Sequence, residues 1–129
     1  MSLDSCEYDY CQDADVCLSF ENLNENDQFF EIRITSNKYI KGFQFGFNDE
    51  DITITGFSGG ITQESGLSPT SGENTILAFS LLGNSISPLQ NQLLGNVYFS
   101  YISEDMNSST VTFSDCDVNS LTVDYSISF

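Results

Sequence analysis

Gly42-Phe-Gln-Phe-Gly-Phe47 is the stretch that decides the fold of this chain. Phenylalanine takes every second position, with glycine or glutamine between. Successive side chains of a strand point to opposite faces, so a period of two builds one apolar face and one small or polar face. Ile76-Leu-Ala-Phe-Ser-Leu-Leu82 and Leu93-Leu-Gly-Asn-Val-Tyr-Phe-Ser-Tyr101 read in the same way. So does Val16-Cys-Leu-Ser-Phe20, with Val16, Leu18 and Phe20 expected inward. In Phe29-Phe-Glu-Ile-Arg-Ile-Thr35, the residues Phe30, Ile32 and Ile34 share a face. Ile52–Phe57, Leu67–Ser71, Thr110–Ser114 and Leu121–Phe129 complete the set. Turn residues punctuate them at Asn22–Asp27, at Asn48–Asp51 and at Gly72-Glu-Asn74, which reads as a hairpin turn. Ser58–Gly66 is a Gly/Ser-rich loop and Asn84–Gln92 a long connection. About nine short strands without a convincing helix make an all-β, two-sheet sandwich or a barrel.

Composition agrees with one such domain. At 129 residues the chain is long enough to bury roughly two-thirds of its unfolded surface. Residues 1–15 are acidic, cysteine-bearing and aperiodic, an N-terminal flap ahead of a β-domain spanning 16–129. Nineteen acidic residues oppose Arg33, Lys38 and Lys41, for a net charge of −16 with no histidine. A field of that sign repels phosphate backbones and anionic lipid, so nucleic-acid and membrane-surface binding are disfavoured, and neither nucleic acid nor membrane insertion is expected. No stretch reaches the roughly 18 apolar residues of a membrane helix. The opening Met-Ser-Leu-Asp-Ser-Cys has neither a basic nor an apolar region, so no signal peptide is expected; it fits a cytosolic chain or the mature part of a longer secreted precursor.

The cysteines favour the secreted reading. Cys6, Cys11, Cys17 and Cys116 are an even set in a small acidic β-domain, which points to disulfides and an oxidising compartment. Three connectivities are open. The preferred one joins Cys6 to Cys11 and Cys17 to Cys116; the alternative joins Cys6 to Cys17 and Cys11 to Cys116. Either ties the entry strand to the last hairpin, and closing a loop of about a hundred residues is worth on the order of 4–5 kcal/mol in the chain-entropy model. Asp9, Asp13 and Asp15 lie among the thiols, but structural zinc wants tighter cysteine pairs and usually histidine.

Chemistry is thinly represented. Nucleophilic hydrolysis lacks its general base, and no G-x-S-x-G elbow occurs. Asp49, Glu50 and Asp51 crowd one turn instead of facing each other across a cleft, so the chain is read as non-enzymatic. Calcium is the one cofactor worth testing. Asp115-Cys-Asp-Val-Asn119 places oxygen side chains at alternate positions, with Asp115, Asp117 and Asn119 as candidate ligands. Ser120 stands where an EF-hand loop needs glycine, and Asp and Asn in turns also serve local backbone bonds. For sugar binding there is no tryptophan, leaving Tyr8, Tyr10, Tyr39 and Tyr98 as candidate platforms. Asn107-Ser-Ser109 is a glycosylation sequon.

The order of segments resembles the cohesin family, nine-stranded jelly-roll modules of the carbohydrate-binding-like superfamily found also as repeats in large surface proteins. The resemblance rests on Phe29–Thr35 followed by Ile40-Lys-Gly-Phe-Gln-Phe-Gly-Phe47, on the hairpin Ser68–Ser80, on Leu93–Phe99 and on Phe113-Ser-Asp115. It covers about Val16 to Phe129. It implies a jelly roll whose first and last strands run parallel and side by side, which would bring Cys17 near the start of the Leu121 strand and the Cys116 hairpin within reach. It implies a monomeric protein-interaction or assembly module at the cell surface or outside the cell. The partner would be dockerin-like or another surface protein, met by outward residues such as Gln44, Ala78, Ser80 and Thr112. A structural spacer repeat and a polysaccharide-binding module are the competing functions.

Overall fold

The computed structural model describes residues 11, 14–80, 82–104, 106, 108–115 and 120–128. Among the described residues, ten strands form two five-stranded sheets packed face to face. The first has the order β10-β1-β2-β7-β4, built from β1 (Val16–Asn24), β2 (Phe29–Ser36), β4 (Ile52–Ser58), β7 (Leu89–Ile102) and β10 (Val123–Ser128). The second has the order β5-β6-β3-β8-β9, from β3 (Gly42–Phe47), β5 (Ser68–Ser71), β6 (Thr75–Phe79), β8 (Ser108–Ser114) and β9 (Ser120–Leu121). The two-sheet sandwich is the architecture that the alternating ladders call for.

Parity does the sorting. Val16, Leu18 and Phe20 on β1 are buried, as are Phe30, Ile32 and Ile34 on β2. They face Phe43, Phe45 and Phe47 from β3. Phe20 is the hub, with ring centroids 5.6 Å from Phe30, 5.9 Å from Phe45 and 5.9 Å from Tyr125. Phe43 stacks on Phe113 at 5.2 Å, which joins β3 to β8 inside the second sheet. Full burial of each large side chain contributes about 1.5–3 kcal/mol, and paired rings add to that.

The parallel pairing of first and last strands is present, with Val16 opposite Val123 and Cys17 opposite Asp124. The terminal stretch read as one strand is two. β9 pairs with β8 in the second sheet, and β10 crosses to β1 in the first. Thr122 sits at the crossing and is fixed there: its carbonyl accepts from Val16 N at 3.0 Å, its hydroxyl from Asp15 N at 2.8 Å, and its own N–H donates to Asp15 Oδ2 at 3.0 Å.

Two further expectations change. β7 begins at Leu89, inside the segment read as a connection, because Leu89 pairs with Ser36 at the far end of β2. The Gly/Ser-rich loop contains a short helix, α1 (Gly60–Glu64). Its anchor is Thr62, fully buried, whose hydroxyl donates to the Leu94 carbonyl at 2.7 Å. Gly60 has φ of +66°, and a Cβ there would come within 2.5 Å of the Leu93 carbonyl oxygen, so only glycine brings the helix this close to β7. A helix of five residues is too short to write a 3.6-residue period into the sequence.

Candidate docking face

The second sheet covers the core with one side and presents the other to solvent. β6 pairs with β3 so that Leu77 lies beside Gln44 and Phe79 beside Gly42; on the other flank Thr112 of β8 lies beside Gln44. Gln44 and Thr112 are exposed on this outer side. Leu77 and Phe79 are 40% and 43% exposed, two large apolar side chains side by side on the outer side of β6. Together with Gly42 and Ser114 they rim a shallow depression of about 190 Å³. Its floor is backbone at Gly42, where an added Cβ would sit 3.1 Å from the Ala78 carbonyl oxygen. None of the five strands in this sheet contains a charged residue.

Of the four residues expected on this face, two lie on it and two do not. Ala78 is fully buried and paired with Phe43, on the core side. Ser80 lies just past β6, half-buried, and its Oγ accepts from Leu82 N at 3.1 Å and Asn84 N at 3.0 Å, closing the turn. The physical reason for the Ala78 error lies in β6 itself. Ile76, Leu77, Ala78 and Phe79 are all apolar, so alternation alone leaves its inner side ambiguous. Pairing with β3 settles it, because Phe43 and Phe45 face the core and their partners Ala78 and Ile76 must follow. The missed residues, Leu77 and Phe79, had one available signal: a strand apolar on both sides in a sheet with only one side covered.

The cysteines also pair differently from expectation. Cys11 is bonded to Cys17, with Cα atoms 5.7 Å apart, which overturns both connectivities preferred on sequence, since each sent Cys11 and Cys17 to other partners. Val16 and Leu18 fill the inner side of β1, so Cys17 is turned to the outer side, away from the core. The segment before β1 returns along the loop after β2 and is held there by Asn37. That side chain donates to the carbonyls of Cys11 (2.7 Å) and Ala14 (3.1 Å) and accepts from Cys11 N (2.9 Å). Cys11 is thereby buried beside Cys17. Cys6 and Cys116 lie outside the described residues.

Other candidates divide similarly. Asp115 follows β8, while Asp117 and Asn119 fall outside the described residues, as do Tyr8, Tyr10 and Asn107. Among the described residues no group of three or more His, Cys, Asp or Glu is placed to hold a metal ion. In the Asn48–Asp51 turn, Asp51 N donates to Asn48 O at 3.0 Å, the local bonding that turn residues supply. Tyr39 is half exposed, and Tyr98 packs against Phe29 on the outside of the first sheet, ring centroids 5.7 Å apart.

No protein-family model and no curated protein sequence matches the chain. Solved structures do. A non-cellulosomal cohesin from the hyperthermophilic archaeon Archaeoglobus fulgidus superposes with a TM-score of 0.56 at 14% identity, covering 88% of this chain and 87% of that one. The CaDoc0917–CaCohA2 complex gives a TM-score of 0.53 at 13% identity, over 88% of this chain and 98% of its counterpart. The seventh ScaB type I cohesin from Pseudobacteroides cellulosolvens gives 0.50 at 11% identity, over 88% and 87%. In fold, the chain is a cohesin-like domain.

Proposed function

We propose that this chain is a non-enzymatic, extracellular protein-interaction module that docks a partner through the outer side of the β5-β6-β3-β8-β9 sheet. The observation that carries the reading is the pair Leu77 and Phe79, exposed beside a shallow depression on a sheet side without charge. Exposed apolar groups framed by small polar ones, here Gln44, Thr112 and Ser114, have the anatomy of a contact centre and its rim. The fold adds weight, since CaCohA2, of the same architecture, is found in complex with CaDoc0917. A Cys11–Cys17 disulfide supports an oxidising environment. The partner would be a dockerin-like domain or another surface protein.

The test is a binding titration of the intact chain against a panel of purified dockerin domains. Phe79→Ser and Leu77→Ser should each weaken a positive interaction by about 10-fold or more, the range of a contact-centre residue. Tyr101→Ser, on the outer side of the first sheet and half exposed, should leave it unchanged. Equal losses from all three would remove this sheet from consideration.

A sugar-binding reading has one observation of its own. Phe29 and Tyr98 form a ring pair on the outside of the first sheet, and Gly56, paired with Tyr98, leaves open space beside it. Retention on a glycan array that Tyr98→Ala abolishes would favour this reading over docking.

A further inference from the structure

We infer that β10 is an edge on which a strand of another protein pairs, and that the incoming segment is extended, with apolar and basic residues in alternation. The site belongs to the first sheet and is independent of the docking reading above, which concerns the second. An edge strand presents unpaired N–H and C=O groups to any other chain, and folded proteins blunt it with short strands, proline, bulges or a covering loop. The four edges of this sandwich, β10, β4, β5 and β9, differ in this respect. β5 has four residues and contains Pro69, and β9 has two. β4 shifts register on either side of Ile54, and the β5–β6 turn covers it: Ile54 N donates to Glu73 O at 2.7 Å, and Asn74 Nδ2 to Ile52 O at 3.1 Å. β10 carries none of these devices. Its six residues include no proline, glycine or basic residue, and they pair with β1 in unbroken register from Val123 to Ser128. Among the described residues no strand lies on its other side.

One bond sets the direction of the β10 backbone. Val16 lies opposite Val123, and its N–H donates to Thr122 O at 3.0 Å. In such a parallel pair the amides of Asp124 and Ser126 turn toward β1, and those of Val123 and Ile127 turn away from it. The side chains of Val123, Tyr125 and Ile127 point inward yet stay half-buried, whereas Val16, Leu18 and Phe20 beside them on β1 are buried. Val111 and Leu121, on the facing sheet, are half-buried as well. The core is thus left partly open along this edge. Alternate apolar side chains of an added strand would close it, while its backbone bonded to Val123 and Ile127.

Charge selects the occupant. Asp124 is exposed on the outer side of β10, and Glu21 lies on the same side of β1. Arg33, two strands away on β2, is held by Glu31 and by the Asn91 carbonyl. Lys38 and Lys41 are in the loop between β2 and β3, and the segments outside the described residues contain acidic residues but no Lys or Arg. A second copy would bring another −16 to the contact, and like charges placed across an interface are costly. A basic strand is attracted by the same field. Its apolar residues would continue the inward row of β10, and its Lys or Arg residues would lie on the side of Asp124.

The probe is a capped peptide of about seven residues alternating Lys and Val, long enough to span β10 at about 3.3 Å per residue. It is titrated into the intact, isotope-labelled chain and followed by NMR and amide hydrogen exchange. In the free chain the Val123 and Ile127 amides should exchange fast and the Asp124 and Ser126 amides slowly; saturating peptide should slow the first pair by about 10-fold or more. A twin with Glu in place of Lys should bind at least about 3-fold more weakly at low salt, the range of a few exposed ion pairs. At about 0.5 M salt, where the screening length is about 4 Å, the two should bind alike. Two further twins are N-methylated, one at every Val and one at every Lys. A strand turns alternate amides to opposite edges, so one twin should bind as the parent does and the other should lose about 10-fold or more. Phe79→Ser should change none of this, which separates the edge from the docking reading. Val123 and Ile127 amides already protected in the free chain would mean that the chain or a second copy covers the edge, and would overturn the proposal. So would no response to the peptide, equal losses from both methylated twins, or equal binding of the Lys and Glu peptides at low salt.

Discussion

Asn37→Ala tests how the segment ahead of β1 is held. The Asn37 side chain makes three hydrogen bonds to that segment, to Cys11 N, Cys11 O and Ala14 O at 2.9, 2.7 and 3.1 Å. At about 0.5–1.5 kcal/mol net for each partly buried bond, their sum is about 2–3 kcal/mol. The Cys11–Cys17 bridge acts on the same residues with a sequence separation of six, and closing so short a loop is worth about 2 kcal/mol in the chain-entropy model. The two clamps should therefore be coupled. Without the bridge, holding Cys11 and Ala14 on the loop after β2 costs about 1–2 kcal/mol per residue, about as much as the Asn37 bonds return. In the Cys11→Ser/Cys17→Ser background the segment should leave Asn37, and Asn37→Ala should then cost under about 0.5 kcal/mol, against about 2–3 kcal/mol in the oxidised parent. Urea denaturation of the parent, the Asn37→Ala variant, the double-serine variant and the combination completes the cycle. With a slope of about 1–3 kcal/mol/M, the parent-background loss is a midpoint shift near 1 M. An Asn37→Ala loss of equal size in both backgrounds would refute the coupling.

Three other outcomes are expected. Phe20→Ala removes the ring at the centre of the aromatic cluster, which touches Phe30, Phe45, Phe47 and Tyr125. It should cost about 3–5 kcal/mol, visible as a large fall in melting temperature by circular dichroism; a loss below about 1 kcal/mol would contradict a dry inter-sheet core. Gly95→Ala places a Cβ within 2.8 Å of the Phe57 ring, so overpacking should cost about 1–3 kcal/mol, and adding Phe57→Leu should restore part of it in the same melting assay. With Cys11 joined to Cys17, two cysteines are left, and peptide mapping of unreduced protein refolded under oxidising conditions should recover Cys6 linked to Cys116; titration of two free thiols in that material would exclude the bond.

Much of the fold was legible because parity is a strict signal where only one side of a strand is apolar. Val16, Leu18 and Phe20, or Phe30, Ile32 and Ile34, cannot be slipped by one residue without exposing every one of them. The same reasoning reached the parallel entry of β10 beside β1 only through resemblance, since pairing between strands more than a hundred residues apart leaves no local trace. α1 was hidden for the opposite reason. Its one decisive interaction, Thr62 with the Leu94 carbonyl, joins residues 32 apart in sequence. The disulfide was misread because spacing says nothing of side-chain direction. Cys17 indeed lies beside the last strand, but what brings it a partner is the return of Cys11 and Ala14 to Asn37.

The proposed docking face was half legible, and the reason bears on that proposal. Gln44 and Thr112 stand out as polar residues between apolar neighbours, so alternation assigns them outward. In β6 alternation fails, because Leu77 and Phe79 are as apolar as Ile76 and Ala78. A strand buried on one side only gains little in folding from large apolar groups on its wet side, about 0.2–1 kcal/mol for each cross-strand pair, and those groups invite aggregation. Thr75, at the start of the same strand, shows that polar residues are tolerated there. Phe79 and Leu77 are thus poorly explained by the stability of this domain alone, and the missing half of their environment is best sought in a second molecule. The position where sequence-level reasoning broke down is the position on which the proposed docking rests.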